Sequence, residues 1–99
     1  MELQIQNRQG TFEVIGNFTS KNSEKVKDHF YYLLDHYEEV VMCLDKVKKI
    51  DQKALNVLGA IYKKACKRSK VLFILGKKNK TVAKAFNKNE LTHIFRNDY

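Results

Sequence analysis

The sequence lacks proline, has only two cysteines, and contains no apolar run near the roughly 20 residues that a membrane-spanning helix needs. The missing apolar run argues against a membrane protein. The first residues, "MELQIQNRQG", have neither the basic start nor the apolar stretch of a signal peptide. Cys43 and Cys66 lie in separate apolar segments without CxxC spacing. This cysteine usage is typical of a reducing compartment, so we expect a cytoplasmic protein.

The chain of 99 residues is 43% hydrophobic and 11% aromatic. This length and composition suit a globular protein with one hydrophobic core. No internal repeat or low-complexity tract divides the sequence. We therefore predict a single domain over residues 1–99.

Charge is distributed unevenly along the chain. Residues 46–88 hold 14 Lys and Arg against one acid, Asp51, whereas residues 1–45 hold 4 basic and 8 acidic residues. A block this basic favours an anionic partner. Abundant Lys and Asn without Pro is also typical of AT-rich genomes, in which Lys is the default surface residue. Both interpretations stay open at this point.

The N-terminal half predicts a hairpin followed by a helix. Residues 3–5 and 12–14 alternate apolar and polar side chains on either side of "NRQG", which indicates a β-hairpin at a sheet edge. The period then changes to that of an amphipathic helix of about four turns, with several possible N-cap residues before it. Its apolar face comprises Val26, Phe30, Leu33, Leu34 and Tyr37.

The second half predicts a strand, helix, strand crossover. "VVMCL" at 40–44 and "VLFIL" at 71–75 are continuous apolar runs, typical of strands covered on both faces. Between them, apolar residues recur with helical spacing from Ala54 to Ala65. Thr81 can cap a short helix, and Leu91, Ile94 and Phe95 predict a terminal helix that docks on the sheet. The fold class is α/β, with a mixed sheet of four or five strands, the N-terminal hairpin followed by parallel strands, and about four helices.

This order of elements resembles the STAS domain family, which includes bacterial anti-sigma factor antagonists, the cytoplasmic tails of sulfate transporters, and a small subunit of a lipid-transport ABC system. The most specific segment is "VVMCLDKVKKIDQKAL". It is similar to the family's apolar strand ending in Leu-Asp, a short loop with one buried Val, and Ile-Asp-Ser-Ser-Gly-Leu opening a helix. "GNF" before the first helix and "LTHIF" near the end agree more weakly.

The sequence departs from the family pattern at Lys53. In phosphoregulated members, the second residue after the aspartate is a Ser or Thr that a partner kinase phosphorylates. Lys53 occupies that position, and no Ser or Thr occurs between Val40 and Arg68. Phosphoserine at a helix N-terminus adds about −1.5 to −2 charge, whereas lysine adds a fixed positive charge. The resemblance therefore implies an interaction module that is not phosphoregulated at the usual site.

The predicted partner-binding surface is the 46–50 loop and the start of the next helix, facing acidic side chains of a protein partner. By resemblance, that partner is an anti-sigma or kinase-like regulator, or a membrane transporter whose cytoplasmic subunit this chain is. The contributing residues are Lys46, Lys48, Lys49, Asp51, Gln52, Lys53 and Asn56. Asp51 is also expected to cap the helix.

An anionic-surface binder, of nucleic acid or acidic lipid, is the alternative class. Its candidate residues are Lys63, Lys64, Lys67, Arg68, Lys77, Lys78, Lys80 and Lys84. The sequence has no RNA-binding sheet signature to accompany them, so a solvated basic face is an equally simple interpretation. A third possibility is self-association, in which the acidic first helix of one copy meets the basic half of another.

No residue pattern predicts an enzyme, a metal site or a cofactor. Asp45 follows an apolar strand as in phosphate-accepting receivers, but the acidic pair that holds magnesium there has no counterpart. The three histidines lack the short Cys and His spacing of zinc sites. Cys43 and Cys66 are interpreted as core and core-edge residues.

Overall fold

The computed structural model describes residues 3–91 and Ile94, which form a mixed five-stranded sheet and three α-helices. No helix in this part of the chain is both long and apolar enough to cross a membrane. The elements in chain order are β1 (Gln4–Arg8), β2 (Thr11–Phe18), α1 (Ser23–His36), β3 (Glu39–Cys43), β4 (Val47–Ile50), α2 (Gln52–Lys67), β5 (Val71–Leu75) and α3 (Lys80–Lys88).

The predicted hairpin is confirmed, with β1 at one edge of the sheet and antiparallel to β2. Gln9 and Gly10 link the strands with φ angles of 52° and 90°. Two consecutive positive φ values match the right-handed twist of the flanking strands, and glycine adopts this conformation without a Cβ clash. The Asn7 side-chain oxygen accepts a hydrogen bond from the Gly10 N–H at 2.9 Å and closes the turn.

Strand β2 is the centre of the sheet because it has two parallel partners on the same side. Its first half pairs with β3 and its second half with β4, and the register shifts between Gly16 and Asn17. Strand β5 pairs in parallel with β3. The switch at Gly16 separates β3 from β4 and so directs β4 toward the start of α2.

The prediction of a loop over residues 46–50 is wrong for residues 47–50, which form strand β4. Its sequence, "VKKI", carries no apolar alternation, because two lysines stand together between Val47 and Ile50. Val47 is buried, as the resemblance implied, while Lys48 and Lys49 are exposed. Exposed lysines on a short strand with one partner are a common way to prevent edge-to-edge aggregation.

The core lies between one face of the sheet and the helices. The helical periods predicted for α1 and α2 are confirmed, except that Tyr37 lies beyond α1 and is 54% exposed. The largest fully buried side chains include Phe18, Phe30, Phe86, Leu34, Met42, Leu44, Leu58, Ile61 and Ile74. Burying each such side chain stabilises the fold by about 1.5–3 kcal/mol relative to exposure.

The prediction that both apolar strands are covered on both faces is confirmed only in part for β5. Val71 is 43% exposed, and Phe73 is half-buried. In the described part of the chain β5 pairs only with β3, so it lies at an edge where coverage is partial. Both faces of β5 are therefore partly covered, and the exposed part is the end at Val71.

The end of the described chain only partly tests the predicted terminal helix. Leu91 is half-buried against the core, and Ile94 is buried in it, as expected. Phe95 lies outside the described residues. The cap of α3 is Asn79 rather than the predicted Thr81: the Asn79 side-chain oxygen accepts from the N–H groups of Thr81 and Val82.

Candidate interaction surface

The start of α2 is organised by Asp51. The prediction that Asp51 caps the helix is confirmed, because its Oδ1 accepts a hydrogen bond from the Ala54 N–H at 3.0 Å. Its Oδ2 accepts a second hydrogen bond, at 2.8 Å, from the N–H of Ser20 in the loop between β2 and α1. Each carboxylate oxygen therefore has a donor within the chain. Asp51 therefore positions two segments next to each other.

The side chains that follow Asp51 are exposed. Gln52, Lys53 and Asn56 all face solvent, and Gln52 Nε2 donates a hydrogen bond to Asn56 Oδ1 at 3.1 Å. The first turn of α2 contains no acidic residue. Lys53 there opposes the positive end of the helix dipole at a cost of a few tenths of a kcal/mol, so its presence needs a reason other than helix stability.

The lysines before Asp51 point in different directions. Lys46 forms an ion pair with Glu13, with Nζ 3.6 Å from Oε2. Glu13 is next to the core residue Val14 along β2, so it lies on the sheet face away from the core. Lys49 lines a cavity at the start of α1 together with Lys21 and other residues. Lys48 is exposed on β4, and Gln52, Lys53 and Asn56 are exposed in the first turns of α2.

Two structural residues of this region are not apparent from the sequence. Ser20 contributes a backbone N–H, which any residue but proline has, so no sequence signal marks it. Asn79 donates from Nδ2 toward the carbonyl oxygens of Leu44, Asp45 and Val47 at 2.9, 3.2 and 2.7 Å. Its role as a cap was detectable, because Asn is a better N-cap than Thr.

The anionic-surface candidates fall into two groups. Lys64 and Arg68 both pair with Asp35 of α1, with N–O distances of 3.1 and 3.0 Å. Lys64 Nζ also lies 4.4 Å from the centre of the Tyr31 ring. These two cations are therefore engaged in holding α1 against α2. The other candidates are exposed at separate places on α2, α3 and the loop between β5 and α3: Lys63, Lys67, Lys77, Lys78, Lys80 and Lys84.

The acidic residues considered for self-association are partly used within the chain. Asp35 pairs with Lys64 and Arg68, and Glu38 pairs with Lys70 at 3.0 Å. These contacts reduce the acidic surface available to a second copy.

The ion pairs of Asp35 predict that the free energy of unfolding depends on pH. The hydrogen bond from Lys64, with the charges of Lys64 and Arg68, lowers the pKa of Asp35. A carboxyl with a lower pKa in the folded chain stabilises the fold above its unfolded pKa of about 3.9, and this contribution is lost as pH falls through the folded value. We expect Asp35→Asn to be less stable than the parent at pH 6, with the difference shrinking near pH 3.

Urea unfolding at the two pH values measures this effect. Asp28→Asn removes a carboxylate from an exposed position of the same helix and serves as the control. Equal behaviour of the two variants at both pH values would contradict a specific role for Asp35.

The described residues contain no group of three or more His, Cys, Asp and Glu that could hold a metal ion. Burial raises the pKa of the Cys43 thiol, as suits a core residue. Cys66 is exposed, which corrects its predicted place at the core edge.

The mixed sheet with an N-terminal hairpin, the central strand shared by β3 and β4, and the capped helix start together define the class of α/β domain to which this chain belongs. The chain belongs to the STAS domain family, whose model matches residues 1–98. The predicted resemblance is thereby confirmed. No curated protein sequence matches the chain.

Solved structures of the same fold support this assignment. TM1081 of Thermotoga maritima, a proposed anti-sigma factor antagonist, is 18% identical with a TM-score of 0.73, over 95% of this chain and 83% of that one. The phosphorylated form of the Bacillus cell fate determinant SpoIIAA is 10% identical with a TM-score of 0.69, over 96% and 89%. A sulfate transporter family protein from Wolinella succinogenes is 17% identical with a TM-score of 0.66, over 94% and 77%. At these identities the likeness concerns the fold.

Proposed function

We propose that residues 1–99 act as one non-enzymatic STAS domain that binds a protein partner through the start of α2. The observation that supports this proposal is that the residues at the helix start have two different roles. The capping carboxylate of Asp51 is satisfied inside the chain, whereas Lys48, Gln52, Lys53 and Asn56 are exposed around it. We call these four exposed residues the α2-start surface, and Lys46 and Lys49, which contact other parts of the chain, are left out of it.

The charge of the α2-start surface supports an acidic partner. Lys48 and Lys53 are exposed on either side of Asp51, and the first turn of α2 contributes no negative side chain. Complementary charge chiefly accelerates association and rejects wrong partners. The partner should therefore present Asp or Glu side chains opposite these lysines.

Regulation at the usual family position is absent in this proposal. Lys53 stands where the phosphorylatable residue is expected, and its amine keeps a constant positive charge. A phosphoserine there would reverse the sign of the surface. We infer that the surface is held in one binding state, and that any switch acts on the partner.

Two kinds of partner fit the relatives. An anti-sigma or kinase-like regulator fits the likeness to anti-sigma factor antagonists such as SpoIIAA. A membrane transporter, with this chain as its small cytoplasmic subunit, fits the likeness to a sulfate transporter family protein. We propose that the chain meets either partner in the cytoplasm, where the exposed thiol of Cys66 would stay reduced.

Charge reversal tests the α2-start surface. We expect Lys48→Glu/Lys53→Glu to reduce capture of the partner from a lysate of the source cells by at least about tenfold, the size of a loss of roughly 1.4 kcal/mol in binding. The fold should be retained, since a carboxylate at position 53 suits the helix dipole. Quantitative mass spectrometry of captured proteins and a thermal melt of each variant measure the two effects.

Lys25→Glu/Lys88→Glu makes the same charge change at exposed positions of α1 and α3 and is the control. An unchanged set of captured proteins in the double variant would refute the surface.

The second candidate, binding to nucleic acid or acidic lipid, is favoured by the exposure of Lys63, Lys67, Lys80 and Lys84. It predicts that nucleic acid or lipid dominates the captured material and that salt removes it.

A further inference from the structure

Three large apolar or aromatic side chains are exposed in the part of the chain that the structure describes, and all three lie at one end of the fold. They are Tyr32, Tyr37 and Val71, at 60%, 54% and 43% exposure. Tyr32 stacks on His36, with ring centres 4.1 Å apart, and Tyr37 is the next residue. The N–H of Val71 donates to the carbonyl oxygen of Glu38, next to Tyr37, at 2.9 Å. We call Tyr32, His36, Tyr37 and Val71 the aromatic end patch, a cluster of the kind that marks interaction sites.

Two exposed carboxylates border the aromatic end patch. Asp28 lies one turn before Tyr32 on α1, and Glu39 is the strand partner of Val71. Among the described residues, neither carboxylate forms an ion pair, whereas the cations of this end are engaged elsewhere. Lys64 and Arg68 pair with Asp35, Lys70 pairs with Glu38, and Lys67 lines the cavity beside Tyr31. Because α1 and α2 also end here, and helix C-termini carry partial negative charge, the patch offers negative charge and aromatic faces to a partner.

The α2-start surface lies at the opposite end of the sheet. Strands β2 to β5 run parallel, β3 and β5 begin at the aromatic end patch, and β4 ends where α2 begins. Lys48 and Lys53 are exposed there, and the N-terminus of α2 adds partial positive charge. Lysine ammonium groups bind carboxylates and the faces of tyrosine rings, as Lys64 does with Tyr31 at 4.4 Å within this chain. The two ends of the chain therefore have complementary chemistry.

We propose that copies of this chain associate head to tail, with the aromatic end patch of one copy on the α2-start surface of the next. The lysines of one copy then lie against the tyrosine rings and the two unpaired carboxylates of its neighbour. Because the contact joins two different surfaces at opposite ends, each added copy presents both surfaces again, and association continues beyond a dimer. The second copy occupies the surface that the proposed function assigns to an acidic partner. The inference rests on that function in this respect, since self-association limits the partner's access to the surface.

Sedimentation velocity of the purified chain tests the association. We expect the sedimentation coefficient to rise with protein concentration, past the value of a dimer, at about 0.1 M salt, where the Debye length is about 10 Å. At about 1 M salt, where the Debye length is about 3 Å, the coefficient should fall toward that of a monomer. A chain that stays monomeric at every concentration overturns the proposal. So does an association that stops at a dimer, because it requires a symmetric contact.

Two variants that each lose one surface test the polarity of the contact. Tyr32→Ser/Tyr37→Ser removes the rings, and Lys48→Glu/Lys53→Glu reverses the charge of the α2-start surface. Both should fold, which a thermal melt checks, because all four side chains are exposed. We expect each variant alone to associate at least about tenfold more weakly than the parent. An equimolar mixture of the two should form dimers, because each variant supplies the surface that the other lacks.

Lys25→Glu/Lys88→Glu changes charge away from both surfaces and should associate like the parent. Association of either surface variant with the strength of the parent, or a mixture that stays monomeric, contradicts a head-to-tail contact. Loss of partner capture in Tyr32→Ser/Tyr37→Ser also overturns the proposal, because the patch then belongs to another protein.

The same variants separate this inference from the proposed function. If the parent stays monomeric and Lys48→Glu/Lys53→Glu loses capture, self-association fails and the proposed function stands. If the chain associates head to tail and capture survives Lys48→Glu/Lys53→Glu, the proposed function fails and self-association stands. If the parent stays monomeric and capture is unchanged, both fail. Where both hold, Tyr32→Ser/Tyr37→Ser should abolish association and leave capture unchanged or increased.

Discussion

Replacing Asn79 with alanine is expected to lower the free energy of unfolding by about 2–4 kcal/mol, although Asn79 lies in a surface loop. Its Oδ1 caps α3 through the N–H groups of Thr81 and Val82. Loss of such a cap typically costs about 1 kcal/mol. Its Nδ2 donates to the backbone that connects β3 to β4, and each hydrogen bond lost there costs about 0.5–1.5 kcal/mol.

Two further variants help to assign this loss to the cap of α3 or to the hydrogen bonds that Nδ2 donates. Asn79→Asp keeps a capping oxygen but places a second oxygen against the carbonyls of Leu44 and Val47, so it should keep the cap of α3, lose the donor contribution and add repulsion between oxygens. Asn89→Ala removes a single side-chain hydrogen bond, to the Ala85 carbonyl, and should cost about 1 kcal/mol or less. Urea unfolding measures all three. A loss for Asn79→Ala no larger than that for Asn89→Ala would contradict the role of Asn79 in joining α3 to the β3–β4 connection.

Most of the fold was predictable because its long elements have strong local patterns. The period-two hairpin, the four-turn α1 and the uninterrupted period of α2 each contain enough apolar positions to distinguish strand from helix. The family segment at residues 40–55 then placed these elements in the correct order. The parallel pairing follows from the crossover that a helix between two strands requires.

The errors have physical causes that local patterns do not contain. Strand β4 has only four residues, of which Lys48 and Lys49 are adjacent and exposed, so no alternation marks it. It is a strand because Gly16 shifts the register of β2 and leaves its second half free to pair. Val71 is apolar yet exposed because strand order, which is a tertiary property, puts β5 at an edge.

At the candidate surface too, contacts within one helical turn were predictable from the sequence and contacts between distant residues were not. The cap by Asp51 was predictable, because it acts within one helical turn. The hydrogen bond from Ser20 joins residues 31 positions apart, and the ion pairs of Asp35 join α1 to the far end of α2. These contacts depend on the folded arrangement. They also determine which charged side chains are paired within the chain. Composition alone does not contain this information.

Replacing Asp51 with alanine is expected to have an effect nearly as large, about 2–3 kcal/mol of unfolding free energy, because two hydrogen bonds to a charged acceptor are lost. One is the cap of α2, and the other fixes the loop before α1. Asp51→Asn keeps one acceptor oxygen, while its amide group cannot accept from the second N–H, so an intermediate loss is expected. Urea unfolding measures the stability of each variant.

Amide hydrogen exchange of Asp51→Ala distinguishes a local cap from a link between segments. If Asp51 joins the two segments, protection falls at Ser20 as well as at Ala54. Loss of protection at Ala54 alone would mean that the contact with Ser20 contributes nothing, and the loop before α1 would then be held by other bonds, such as that from the Thr19 N–H to the Asn22 side chain. Because Lys53 lies in the helical turn that Asp51 caps, the contacts of Asp51 also fix the position of that turn, which a partner would meet. Asp51→Ala should therefore weaken partner capture even in the fraction of molecules that remains folded.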